Sequence, residues 1–153
     1  MESLYTLDPD AVALVKVDTK REILTSLASR FAQVYGLSAD AVLEAIEDRE
    51  KLGSTGFGRG VAIPHARMAG LSGPVAAVLK LQAPVAFDAA DGMPVDIVVG
   101  LLSPEDAGAV HLHALAAISR TMRDERMHEK LANASDRETI YALLANVVDR
   151  DAA

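Results

Sequence analysis

Cysteine is absent from this 153-residue chain. Disulfides, thiolate catalysis and cysteine-ligated zinc or iron–sulfur centres are thereby excluded, and the pattern fits a reducing compartment. Long hydrophobic runs are absent too, since no stretch approaches the roughly 20 apolar residues of a spanning helix. The start, MESLYTLDPDAV, carries acidic residues where a secretory leader would carry positive charge. The expectation is a soluble, cytoplasmic protein with no membrane insertion. Basic residues are in deficit, with Lys+Arg 15 against Asp+Glu 22 and a formal net charge of -7. Such a surface repels nucleic-acid phosphates at every non-specific site, so no nucleic-acid partner is expected. Internal repeats, linkers and low-complexity tracts are missing as well. One domain over residues 1–153 is the simplest organisation, with a core about residues 5–148, burying roughly two thirds of the unfolded chain's surface.

What is present is helical at both ends and strand-like between. Thr19-Lys20-Arg21-Glu22 fits a capping box, and Ile23, Leu27, Phe31 and Val34 follow at helical spacing before Gly36. A second helix starts at Ser38, carries Val42, Ile46 and Arg49 on one face, and ends at Gly53. Val61-Ala62-Ile63 reads as a buried strand. Val75 to Gln82 alternates with period two, and Val95 to Leu102 is a nearly continuous apolar run suited to a central strand. Turn chemistry is expected at Pro84, Asp91-Gly92 and Pro94. Ser103-Pro104-Glu105-Asp106 predicts the start of a helix through His111, Leu115, Ile118 and Met122. A short helix over Asp124 to Leu131 and a last one opened by Ser135-Asp136-Arg137-Glu138 complete the pattern. Three or four strands among these helices predict an α/β fold, a single domain with a mixed sheet flanked by helices on both faces.

Chemistry concentrates between Arg49 and Arg67, in REKLGSTGFGRGVAIPHAR. Gly53, Gly56, Gly58 and Gly60 can aim N–H groups into an anion-holding concavity, and Ser54 and Thr55 add hydroxyl donors. Pro64 fixes the chain just before His65. A reactive His65 and a plain turn histidine both remain open on these grounds. At 100° per residue, His111 shares the sector of Leu115, Ile118 and Met122, whereas His113 falls with Ala117, Arg120 and Asp124 on the opposite face. His111 is then either a core imidazole bonded to a backbone carbonyl or a second imidazole supporting His65. His-Leu-His cannot converge on one ion along a helix, so no metal site is expected. His128 is assigned to a solvated helix face. Arg49, at an inward position, either snorkels to water or points its fork at a phosphate near His65. Arg59 and Arg67 are expected as surface charge. Phe57 is either core or a docking contact.

These residues resemble an enzyme IIA component of the bacterial phosphoenolpyruvate phosphotransferase system, of the mannitol/fructose type and its nitrogen-regulatory branch. The resemblance rests on Arg49-Glu50 with GSTGFGRGVAIPHAR, on APVAFDAADGMPVDIVVGLL and on VHLHAL, with weaker similarity at LDPDAVAL and KREIL. Ala66-Arg67 departs from the commoner Gly-Lys after the histidine. The resemblance implies that His65 accepts a phosphoryl group on Nε2 from a small histidine-containing phosphocarrier protein, with His111 and Arg49 as further active-site residues and no cofactor. A neutral imidazole is a competent nucleophile at neutral pH, and phosphoryl transfer asks mainly for positioning and charge stabilisation. The functions to weigh are a regulatory phosphocarrier, the IIA step of sugar uptake passing phosphate to a IIB partner, and a non-catalytic anion- or protein-binding regulator.

Overall fold

A computed structural model describes residues 4–152, with side chains over 4–147. In chain order the elements are β1 (Thr6–Val15), α1 (Lys20–Tyr35), α2 (Ala39–Lys51), β2 (Gly56–Gly58), β3 (Val61–Ala62) and β4 (His65–Met68). Then come β5 (Val75–Val85), β6 (Val95–Pro104), α3 (Ala109–Arg123), α4 (Glu125–Asn133) and α5 (Arg137–Ala152). The sheet runs β1-β5-β6-β3-β2, with β4 also paired to β6. Parallel pairs (β1 with β5, and β3 and β4 with β6) and antiparallel pairs (β5 with β6, β2 with β3) make it mixed.

The helix starts follow capping chemistry. Thr19 Oγ1 accepts from Glu22 N at 3.1 Å while the Glu22 carboxylate reaches back to Asp18 N at 2.8 Å. Ser38 caps α2 through Ala41 N. Gly36 closes α1 by donating to Ala32 O. The cap of α5 is Asp136, not the expected Ser135: its Oδ1 takes Thr139 N at 2.7 Å, one residue later in the same box.

Four expectations change where the sheet overrides local pattern. β1, β2 and β4 form where no strand was expected. β1 tolerates Asp8-Pro9-Asp10 because it is an edge strand whose register shifts between Leu7 and Val12. β5 does not turn at Pro84 but runs on to Val85, which pairs with Val95 after a shift that spares the missing proline N–H. Ser103 and Pro104 belong to β6, because β4 pairs with them, so α3 starts only at Ala109. Ala117, expected on the outer side of α3, is buried, since α3 packs on both β6 and α4.

Residues of β6 alternate between two covered faces. Gly100 meets α1, where an added Cβ would lie 2.8 Å from Leu27 and Phe31 side-chain atoms. Val99 points the other way, to Ile118 and Met122 of α3 and Leu144 of α5. The fully buried Phe31 alone contributes about 2–3 kcal/mol of transfer free energy. Gly100→Ala overpacks this contact and is expected to cost about 1–3 kcal/mol. Urea denaturation should show the lower midpoint, with Gly73→Ala, where nothing lies within 4 Å of an added Cβ, close to wild type.

Candidate active site

The buried Val42 and Ile46 set the phase of α2 and bring Arg49 past the free edge of β4. There Arg49 Nε donates to His65 Nε2 at 3.3 Å, and its Nη1 donates to Gly53 O at 2.8 Å. The inward position is thus used for a polar contact, not for snorkelling. Ile63-Pro64 sets the imidazole itself. Ile63 N bonds Thr55 O, Pro64 O accepts Leu101 N, and the Ile63 carbonyl lies 2.8 Å from His65 Nδ1. A carbonyl only accepts, so Nδ1 carries the proton and Nε2 keeps its lone pair. Burial, with a smaller push from the Arg49 guanidinium, lowers the pKa of His65, against the opposing effect of the Ile63 bond. The ring is neutral, with its unprotonated nitrogen turned to a cation.

His111 stands beside it on α3, ring centroids 5.7 Å apart and tilted by 44°. It is 5% exposed, and its Nδ1 is 2.7 Å from Ser103 Oγ. Its polar partner is therefore a buried strand hydroxyl and not the backbone carbonyl considered from sequence. Burial first, then the Arg67 and His65 charges, pushes its pKa down to about 4. Ser103 was missed as a site residue because its Ser-Pro sequence imitates a helix start. The signal available was the continued alternation Ile97, Val99, Leu101, Ser103 along one face. His113 is exposed. His128 is not on a solvated face: its Nε2 lies 3.0 Å from Asp96 Oδ1, half-buried at the N-terminal end of β6.

The structure does not bring the glycine-rich loop's donors to His65. Ser54 Oγ donates to Phe87 O at 2.8 Å and accepts from Gly56 N at 3.0 Å. Thr55 N and Oγ1 both donate to the Glu50 carboxylate, which also pairs with Lys20 at 2.9 Å. Gly56 lies against Ala89, where a Cβ would sit 2.7 Å away, and Gly58 holds φ 105 beside Asp91. These bonds brace the end of α2 against the loop after β5. Glu50, its side chain only 6% exposed, is the missed anchor of this bracing. Phe57 is half-buried beneath the Arg123 guanidinium, 5.7 Å from its ring centroid. Arg59, exposed as expected, pairs with Glu125 at 3.5 Å.

Around His65 opens a depression of about 530 Å³, lined by Arg49, Arg67, His111, Leu52, Leu112 and Leu115 among others. Leu52 and Leu112 are 84% and 58% exposed at its rim.

Residues 6–147 match the family described as phosphoenolpyruvate-dependent sugar phosphotransferase system, EIIA 2. The chain belongs to this family. The nitrogen regulatory protein of Bradyrhizobium diazoefficiens is 43% identical to this EIIA domain over 138 residues, 90% of each chain. The nitrogen regulatory protein of Pseudomonas aeruginosa is 41% identical over 130 residues, 84% of each. The crystal structure of nitrogen regulatory protein IIA-Ntr from Neisseria meningitidis superimposes with a TM-score of 0.84 at 35% identity, covering 90% of this chain and 95% of that one. The mannitol IIA of Escherichia coli shares the fold, with a TM-score of 0.76 at 20% identity, covering 92% of this chain and 99% of that one. The EIIA domain thus falls in the nitrogen-regulatory branch, as its motifs led us to expect, and members of the family are phosphotransfer components.

A depressed histidine pKa gives this site a defined pH response. Unfolded His111 titrates near 6.5, so between pH 6.5 and about 4 the unfolded state binds the extra proton. Stability from the neutral ring is complete above pH 6.5 and is lost as pH falls through that window, on the order of 3 kcal/mol in all. NMR titration should place the His111 midpoint near 4. Urea stability of His111→Gln should fall less steeply over the same range.

Proposed function

We propose that this EIIA domain is a phosphocarrier whose His65 Nε2 takes a phosphoryl group from a histidine-containing phosphocarrier protein. The observation that carries this is the pinned tautomer: the Nδ1 proton lies on the Ile63 carbonyl, and the Nε2 lone pair faces an open depression beside Arg49. The lone pair attacks phosphorus in line with the donor's N–P bond. That bond breaks as the Nε2–P bond forms, and its electron pair returns to the donor ring. Once phosphorus occupies Nε2, the Arg49 Nε–H is released to an equatorial oxygen. In this reading the Ser103 hydroxyl, 2.7 Å from His111 Nδ1, is the donor, which puts the His111 proton on Nε2 for a phosphate oxygen to accept. Burial holds His111 neutral, so it donates without adding charge. No step requires a metal or cofactor, and the loop residues Ser54, Thr55, Gly56 and Gly58 act by holding α2 and β3 in place.

The physiological role in this reading is regulatory, supported by relatives named nitrogen regulatory protein at 41–43% identity. Phosphorylation adds negative charge and acceptor oxygens to one surface, enough to recruit or repel a target protein. The cytoplasm is the compartment where the phosphocarrier partner would meet it. A second reading, the IIA step of sugar uptake, has support in the fructose-specific EIIA component of Haloferax volcanii, 37% identical over 110 residues, 72% of this chain and 71% of that protein.

Incubation with phosphoenolpyruvate, the system's first enzyme and its phosphocarrier should add one acid-labile phosphate to wild type and none to His65→Ala, read by intact mass. Arg49→Ala should slow the transfer by roughly 10²–10³-fold, the usual effect of removing one preorganised donor. An unphosphorylated wild type would sink the phosphocarrier reading in favour of a binding-only regulator. Onward passage of phosphate to a sugar-specific IIB would favour uptake over regulation.

A further inference from the structure

Arg67 has no role in the scheme above, and its placement is unusual for a surface charge. Two residues along a strand from His65, it projects from the same face of β4. Register fixes what stands beside it: His65 pairs with Leu101 and Arg67 with Ser103, the residue that holds His111. Arg67 therefore lines the same depression as the two imidazoles and Arg49. Its charge is felt by both rings, lowering the pKa of each.

Its guanidinium is also uncommitted. The Arg67 side chain makes no hydrogen bond or ion pair with any described residue, whereas that of Arg49 already donates to Gly53 O and to His65 itself. Arg59, the other arginine expected on the surface, is tied to Glu125 and to Arg123 O. A phosphoryl group on Nε2 brings close to two negative charges and three acceptor oxygens into the depression. Arg49 approaches from the α2 side with part of its fork engaged. A second planar five-donor fork, left free in the same depression and carried by β4 instead of α2, suits the remaining oxygens.

We propose that Arg67 is a second phosphate-holding residue, closing on the phosphoryl group of His65 from the β4 side and stabilising the phosphorylated state. This rests on His65 being the phosphoryl acceptor. The step is the one already described: the Nε2–P bond forms, the donor's P–N bond breaks, and Arg67 contributes hydrogen bonds and charge only.

The test uses phosphoramidate as donor, so that no partner protein can be steered by the same charge. Here the His65 Nε2 lone pair displaces ammonia from phosphorus. Wild type, Arg67→Ala, Arg67→Lys and His65→Ala are compared by intact mass for rate and by ³¹P NMR for the phosphate titration. Arg67→Ala should take phosphate about 10- to 100-fold more slowly, the factor for one lost charge-assisted hydrogen bond. Its bound phosphate should titrate about 0.5–1 unit higher, because a nearby cation favours the dianion. Arg67→Lys should restore the titration midpoint while recovering only part of the rate, since it keeps the charge and loses the fork. Thermal midpoints within a few degrees of wild type would show that the exposed position leaves the fold intact. Arg67→Ala with the wild-type rate and phosphate titration overturns the proposal and leaves His65 as acceptor. Absence of phosphate on wild type, or equal labelling of His65→Ala, overturns both.

Discussion

Four backbone partners, from His65 with Leu101 to Met68 with Pro104, hold the short strand β4 parallel to the end of β6. The site depends on that pairing more than on any side-chain contact. A strand alternates its faces residue by residue, so a slip of one position would turn His65 and Arg67 toward α1 and α2 and bring Ala66 to the surface that faces α3. The same pairing keeps Ser103 in a strand, and Ser103 in turn fixes the ring of His111. Pro64 contributes by lacking an N–H while its carbonyl accepts Leu101 N, which leads the chain from β3 into β4 along the same neighbour.

Electrostatics of the site run against those of the whole chain. A net charge of -7 surrounds a depression whose lining includes two arginines and two neutral imidazoles. Neutrality matters for the chemistry, since a protonated His65 would have no lone pair to offer. Burial and neighbouring guanidinium groups both oppose protonation, so in the proposed reaction the same features would hold the phosphoryl group and keep the His65 lone pair available. The excess negative charge of the chain makes this cluster of cations a local feature.

The glycine-rich loop shows how polar groups that suggest a ligand in sequence can serve the scaffold instead. Clustered glycines, a serine and a threonine precede His65 in the chain, yet their polar groups close on Glu50, Phe87 and one another. The Lys20–Glu50–Thr55 chain ties the start of α1, the end of α2 and the loop together. Gly56 is required by the approach of Ala89, a contact between segments 33 positions apart that no local pattern could announce. Donors that a sequence suggests for a ligand can equally satisfy the backbone that carries the ligand's true partners.

Much of this protein was legible in order along the chain. Helix positions followed from 3.6-residue spacing and caps at Thr19 and Ser38, the central strands from period-two and continuous apolar runs, and the inward place of Arg49 and His111 from helical phase. Those features are local, set by a residue and its near neighbours. Tertiary structure alone decided that Ser103 ends a strand instead of opening a helix, that β5 continues through Pro84, that His128 meets Asp96 and that Arg67 shares the face of His65. Each of those outcomes is a pairing across the sheet or between sheet and helix. Its free energy comes from hydrogen bonds and burial between residues far apart in sequence, which outweigh a local preference worth about 1 kcal/mol or less.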